Sequence, residues 1–479
     1  MTTTPEIKFG TDGWRAVISD TFTFKNVMAV SQAISEWVNH DLPPSGGKPK
    51  RVAVGFDTRF MSGDYAELVS RVLAANDIAV LLSDAPIPTP ALSYGVPSNQ
   101  CAAGIMITAS HNPYKFNGIK IKTAQGGGAS RDITDKVEGY LHKTEPQALS
   151  FEQAKAEKKI VVHNFKTAYL KFMRNYIDLK KIRPARFKVI MDAMHGSGDS
   201  LIAQVLKGTA IRLSLMREDI NPYFDGAKPE PIEEMLGGIL SRVKKEKFDL
   251  GLVLDGDADR IAAVAPGGAF LHPQKILGLL ILHLVRNRGR RGGVVKTLCG
   301  TVLIDKIAKK LGLKLYETPV GFKYISDLMV SERIVAGGEE AGGMGFQDYI
   351  PERDGTLAGL LLLEMMVYQK KNIRKIVEEM DKEFGSYYYQ RSDVKLARGT
   401  IVDMERIKMI DNLLGKKVVE VKDFDGVKLI CEDESWLMLR PSGTEPLVRA
   451  YSEATSLSRA KRLITFGETL LKGGSSGGS

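Results

Sequence analysis

Three aspartates stand at alternate positions, Asp255, Asp257 and Asp259 in "LDGDADR". They follow the apolar run "LGLVL" and precede another, "IAAVA", which places them in a loop between two strands. Carboxylates this close repel one another unless a cation compensates, and their hard oxygens suit a hard cation such as Mg²⁺. An EF-hand loop also opens with alternating aspartates. It needs Gly at its sixth position and Glu at its twelfth, where this chain has Arg260 and Pro266.

A second stretch, "GIMITASHNPYKFNGIKIK", delivers Ser110 from an apolar run into a turn closed by Pro113. A serine there is often only a turn residue or a helix cap. Here Lys115, Lys120 and Lys122 follow within twelve positions and suit a phosphorylated side chain. A hydroxyl can carry a transferred group if a base or a metal activates it, and the aspartates offer the metal. His111 is adjacent in sequence, so it need not face Ser110; it is read as a supporting residue. No G-x-S-x-G elbow surrounds the serine. In "RPSGTEP", Arg440, Ser442, Gly443 and Thr444 can converge on a phosphate, although a plain Ser-Gly hairpin turn fits equally well. In "GGEEAGG", Glu339 or Glu340 could accept hydrogen bonds from sugar hydroxyls, or the segment could be a simple loop. No Walker-type phosphate loop is present.

The elements that must position these loops follow a rhythm. "RVAVGFDT", the helical "YAELVSRVLAAN", "DIAVLLSD" and "AAGIMITAS" alternate strand and helix patterns, and the same order returns from "FKVIMDAMHGSG" and again from "PQKILGLLILHLVRNR". The alternation argues for parallel strands with crossover helices, in an α/β protein of three tandem similar units followed by a smaller α+β unit. The units are drawn at 1–158, 159–266, 267–385 and 386–472, with a flexible Gly/Ser tail at 473–479. A length of 479 residues suits several domains.

Three scattered cysteines, Cys101, Cys299 and Cys431, are too few for a disulfide framework and suit a reducing, cytoplasmic setting. No basic-then-apolar leader or membrane-length apolar run occurs, so no membrane association is expected. The net charge of +10 raises nucleic acid as a partner, but acidic residues interrupt the basic patches and no aromatic-interleaved stripe appears. No nucleic-acid partner is expected.

In combination and in this order, "TASHNP", "DGDADR", "GEEAGG" and "RPSGTEP" resemble the α-D-phosphohexomutase family, from "FGTDGWR" to about residue 472. The resemblance implies that Ser110 carries a phosphoryl group and that Asp255, Asp257 and Asp259 hold one Mg²⁺ beside it. It implies general acid/base work for Lys120, a catalytic role for Arg260 and a substrate-binding one for Arg15 near the catalytic centre, in a fold whose three α/β domains have mixed sheets and, with the smaller α+β domain, surround a central active-site cleft. Phosphate would be gripped by Arg440, Ser442, Gly443, Thr444 and Arg449. Glu339 would read sugar hydroxyls, with Ala341 where relatives often have Ser, and Lys323 would lie in a substrate loop. The Glu-Glu loop and "ERDG" at 352–355 are more similar to the branch acting on glucose phosphates, which passes through glucose 1,6-bisphosphate. The implied partners are sugar monophosphates and the bisphosphate, and the implied state is a monomer or homodimer. Mannose specificity, a broad sugar range, a bisphosphate synthase and a non-catalytic phosphosugar binder are the alternatives.

Overall fold

The computed structural model describes residues 7–44, 46–47, 49–198, 200–396, 402–441 and 447–473. Its first sheet runs in the order Trp14–Val17, Phe116–Lys122, Ala103–Ile107, Arg51–Phe56, Ala79–Ser83 and Ile160–His163. The last four strands pair in parallel, and the first two are added antiparallel. The second sheet orders Ala269–Leu271, Ile261–Ala265, Leu250–Leu254, Lys188–Asp192 and Arg212–Met216, and the third Leu315–Thr318, Gly293–Thr297, Ile334–Gly338 and Met344–Phe346. Two strands fall past the boundaries drawn from sequence at 158 and 266: Ile160–His163 joins the first sheet and Ala269–Leu271 the second. Both are short edge strands whose allegiance is set by pairing, which a linear pattern does not carry.

One plan recurs in these three sheets. A parallel strand, buried throughout, turns back on itself into an antiparallel partner: Ala103–Ile107 into Phe116–Lys122, Leu250–Leu254 into Ile261–Ala265, Ile334–Gly338 into Met344–Phe346. Strands covered on both faces must be apolar along their whole length, which explains runs such as "AGIMI" and "LGLVL". The polar residues are therefore pushed to the hairpin tips. The fourth sheet is antiparallel throughout, and its strands Trp436–Pro441 and Leu447–Ala454 flank the fourth loop.

The helices show why they form where they do. Val302–Leu311 starts at Thr301, whose hydroxyl accepts from the Leu303 amide (3.1 Å), and ends at Gly312 with a left-handed φ of 62°. Its buried Leu303, Ile304, Ile307 and Ala308 repeat at helical spacing. Helix Gly355–Gln369 is buried on every side over its first twelve residues and is capped by Asp354, which accepts from the Leu357 amide at 2.8 Å. One apolar core runs from Ala53 to Tyr387 and joins the first three units, whereas the fourth has its own core from Val394 to Leu471. A smaller cluster of Leu298, Cys299, Trp436, Met438 and Tyr451 fastens the fourth unit to the third. No helix among the described residues is long and apolar enough to cross a membrane.

Candidate active site

Ser110 sits at the tip of the first hairpin with φ +52°, a left-handed conformation unfavourable for a residue with a side chain, and is fully buried. Its amide donates to Thr108 Oγ1 (2.8 Å), and its hydroxyl donates to Asp255 Oδ2 (3.0 Å), 145 positions away at the tip of the second hairpin. Close approach between the two loops is possible because residue 256 is glycine: a Cβ there would lie 2.5 Å from the Ser110 carbonyl oxygen. His111, left without a facing from sequence, places Nδ1 3.3 Å from Ser110 Oγ. Burial, helped by Arg260, Arg15 and Arg391, lowers its pKa well below the usual histidine value and favours the neutral ring.

Asp255, Asp257 and Asp259 are fully buried, and one oxygen from each lies within 4.8 Å of the others. Asp257 Oδ2 and Asp259 Oδ2 accept from Lys120 Nζ (2.8 and 3.0 Å), and Asp257 Oδ2 also accepts from Thr89 Oγ1 (2.5 Å). Asp257 Oδ1 and Asp259 Oδ1 are buried with no hydrogen-bond donor. Buried carboxylate oxygens are costly to leave unsatisfied. Two orphaned hard oxygens beside a third carboxylate are the donor set that a divalent cation such as Mg²⁺ requires, so the residues fit such an ion. Burial, together with Asp259 and Asp257, raises the Asp255 pKa well above the carboxylate range. Burial would raise Asp257 as well, but the Lys120 ammonium overrides it and holds it low.

Lys120 is enclosed by Asp12 (2.9 Å), Asp257 and Asp259. Burial opposes its charge, yet these carboxylates raise its pKa, so it stands as an ammonium. Arg353, buried at the third unit's edge, reaches Asp12 (2.6 Å), Asp259 (2.7 Å) and Glu339 (3.3 Å). Arg15 donates to Asn112 Oδ1 and Asp12 Oδ2 (3.0 and 3.1 Å), and Arg260 lies 3.8 Å from Asp259. The two glutamates of the third tip diverge. Glu339 faces this cluster through Arg353, and burial raises its pKa. Glu340 instead accepts from the Cys299 thiol at 3.1 Å. Ala341 is partly exposed on the same tip, and an antiparallel bridge between Arg260 and Gly343 ties the second and third tips together.

Other expected residues lie further out. Lys323 stands over the Tyr324 ring, and the charges acting on it are Arg131, Asp135, Asp327 and Asp132, not the aspartate triad. Arg440 and Arg449 are directly opposite in the fourth sheet; Arg440 pairs with Asp425 (2.8 Å) and Arg449 with Asp393 (3.8 Å). Ser442, Gly443 and Thr444 lie outside the described residues. Arg59, Thr89, Asp12 and Arg353 were not found from sequence. For Arg59 the usable signal was its position: like Ser110 it lies three residues past the C-terminal end of a strand in a parallel array, where ligand sites of open α/β sheets form.

Comparison with known proteins matches the chain to family models described as phosphoglucomutase/phosphomannomutase alpha/beta/alpha domains I, II and III over residues 6–148, 167–268 and 272–384, and to the C-terminal domain over 391–466. This chain belongs to the phosphoglucomutase/phosphomannomutase family. Phosphohexomutases are isomerases, and the chain is an enzyme of that class. It is 32% identical, over 97% of its length and 99% of the other chain, to a Thermus thermophilus structure assigned as a phosphomannomutase, with a TM-score of 0.86. It is 28% identical to a phosphoglucomutase/phosphomannomutase of Thermococcus kodakarensis, covering 97% of this chain and 98% of that one. A phosphoglucosamine/phosphogalactosamine mutase of Sulfurisphaera tokodaii is 27% identical over 97% and 99%. Phosphohexomutases at this distance thus carry names for several sugars.

Proposed function

We propose that this phosphohexomutase interconverts glucose 1-phosphate and glucose 6-phosphate through a phosphorylated Ser110. The observation that carries the reading is the 3.0 Å contact between Ser110 Oγ and Asp255 Oδ2, which unites the serine tip and the aspartate tip in one buried site. Phosphorylated Ser110 gives its phosphoryl group to the free hydroxyl of the sugar monophosphate: the P–Oγ bond breaks, a P–O bond forms to the sugar, and the hydroxyl proton passes to a base. The sugar 1,6-bisphosphate then turns end for end and returns its other phosphoryl group to Ser110.

The chain's own groups have distinct parts in this scheme. Mg²⁺ at Asp255, Asp257 and Asp259 would supply Lewis-acid neutralisation of the transferring group. Lys120, held as an ammonium by Asp12, Asp257 and Asp259, contributes positive charge rather than a proton. His111, held neutral beside Ser110, is placed to accept one. Arg440 and Arg449, with the loop at 442–444, would grip the phosphate that is not being transferred, and Lys323 would assist from the third unit. Glu339 would accept from sugar hydroxyls. Its link to Arg353 joins the Glu-Glu loop and "ERDG", the two features that favour glucose, into one substructure. Turnover measured on glucose, mannose and glucosamine 1-phosphates tests the choice: glucose is expected to give the highest kcat/KM, and a preference for mannose or glucosamine would overturn it.

A further inference from the structure

We propose that Arg59 is the positioning residue for Ser110, and that the 217–229 loop of the second unit holds Arg59 in that role. The proposal rests on the reading of Ser110 as the phosphoryl carrier. Arg59 follows strand Arg51–Phe56, and its guanidinium is buried beneath the serine tip. It donates to four backbone carbonyls of that tip: Nη2 to Ser110 (2.5 Å) and Asn112 (2.6 Å), Nη1 to Pro113 (3.0 Å) and Phe116 (3.1 Å). Its third nitrogen faces Asp57 at 3.3 Å. Asp57 accepts from Thr108 Oγ1, which in turn accepts the Ser110 amide, so the circuit closes on the serine from both sides. A planar guanidinium fork can serve four carbonyls at once, which the compact ammonium of lysine cannot. Left-handed backbone at a residue with a side chain persists where the surroundings over-determine it, and at Ser110 this circuit does so.

The outer face of Arg59 is covered from the second unit. The Phe224 ring lies 5.0 Å from the guanidinium, within cation–π range. Phe224, Asp225 and Gly226 have consecutive positive φ values of 50°, 55° and 76°, a strained turn that projects the ring inward. The turn is stapled by His195, whose Nε2 donates to Asp225 Oδ2 (2.9 Å), while the His195 carbonyl accepts from Thr58, the neighbour of Arg59. The preceding Tyr223 ring packs 4.4 Å from Tyr114 on the serine tip. At the loop's far end the Pro229 carbonyl accepts from the Gly256 amide (3.2 Å), within the aspartate tip. One loop therefore touches both tips whose 3.0 Å contact defines the site, and Arg59 transmits its position to Ser110 without touching substrate.

The test uses the full chain carrying Arg59→Lys or Phe224→Leu, with wild type and Ser110→Ala alongside. The readouts are kcat and KM for glucose 1-phosphate, the rate at which glucose 1,6-bisphosphate phosphorylates Ser110 by intact mass, and the unfolding midpoint. Arg59→Lys is expected to lose on the order of 100-fold in kcat and in phosphorylation rate, with KM within about threefold, the size of effect a misplacement of about 1 Å produces. Phe224→Leu, which keeps the Arg59 side chain but removes the ring that covers it, is expected to lose roughly tenfold in the same two rates with an unfolding midpoint close to wild type. Wild-type rates in either folded variant, or a loss confined to KM, would overturn the proposal; if Arg59→Lys does not fold, Phe224→Leu decides alone. An active Ser110→Ala would refute the phosphoserine reading itself, whereas an inactive Ser110→Ala beside wild-type rates in the other two refutes the positioning role only.

Discussion

Arg353 joins carboxylates carried by three different sheets: Asp12, Asp259 and Glu339. Burial opposes its charge, and these carboxylates hold it charged. Breaking a buried ion pair from one side strands the other side, at a cost of about 3–5 kcal/mol. Arg353→Met is therefore expected to lose that order of stability in urea unfolding and to lose mutase activity; stability within about 1 kcal/mol of wild type would contradict the reading. Asp257→Asn acts on a different quantity. It keeps the shape but removes charge from the set of orphaned oxygens, so Mg²⁺ affinity measured by titration calorimetry should fall at least about tenfold. An unchanged affinity would place the cation elsewhere. The residues legible in the sequence were those whose chemistry is local, such as the three aspartates within five positions. Arg353 and Asp12 pair across 341 positions, a relation no short window contains.

At the scale of elements, the site is assembled from hairpin tips that follow buried parallel strands. Their meeting depends on places where a side chain would not fit. Gly256→Ala would set a Cβ 2.5 Å from the Ser110 carbonyl oxygen and 3.1 Å from the Pro229 ring, so the two tips must separate. The expected result is a loss of about tenfold or more in kcat with the unfolding midpoint lowered only modestly, checked by steady-state kinetics and thermal melting. An unaltered kcat would mean the tips need not touch. Strand and helix alternation was readable because period and composition announce it, as in the helical "YAELVSRVLAAN", which forms the body of helix Ser62–Ala75. The return of each parallel strand into an antiparallel partner was not, since a buried strand reads the same in either direction.

At the scale of the whole molecule, three units share a core and the fourth is attached through a smaller interface that encloses Lys428. Its ammonium donates to the Leu298 carbonyl (2.6 Å) and lies 4.0 Å from the Trp436 ring centroid. Burial, with Lys296 adding repulsion, pulls its pKa down to about 7. An unfolded lysine titrates near about 10.4. Below pH 7 the folded state carries the full cost of the buried charge, and that cost disappears as pH rises from about 7 to about 10.4. Lys428→Met should therefore flatten the rise in stability across that window in urea unfolding. A wild-type slope in the variant would remove Lys428 as its source. Four units and their order were visible in the sequence, but the face on which the fourth meets the third was not, because it is built from residues such as Leu298 and Trp436 that read as ordinary core.

The most direct measurement is single-turnover transfer. The protein is phosphorylated with labelled glucose 1,6-bisphosphate, freed of excess, and mixed with glucose 1-phosphate. The account predicts one label per chain, located on Ser110 by peptide mapping, and discharge to sugar at least as fast as kcat. Turnover that proceeds with Ser110 unlabelled, or a label on another residue that discharges at the catalytic rate, would contradict it.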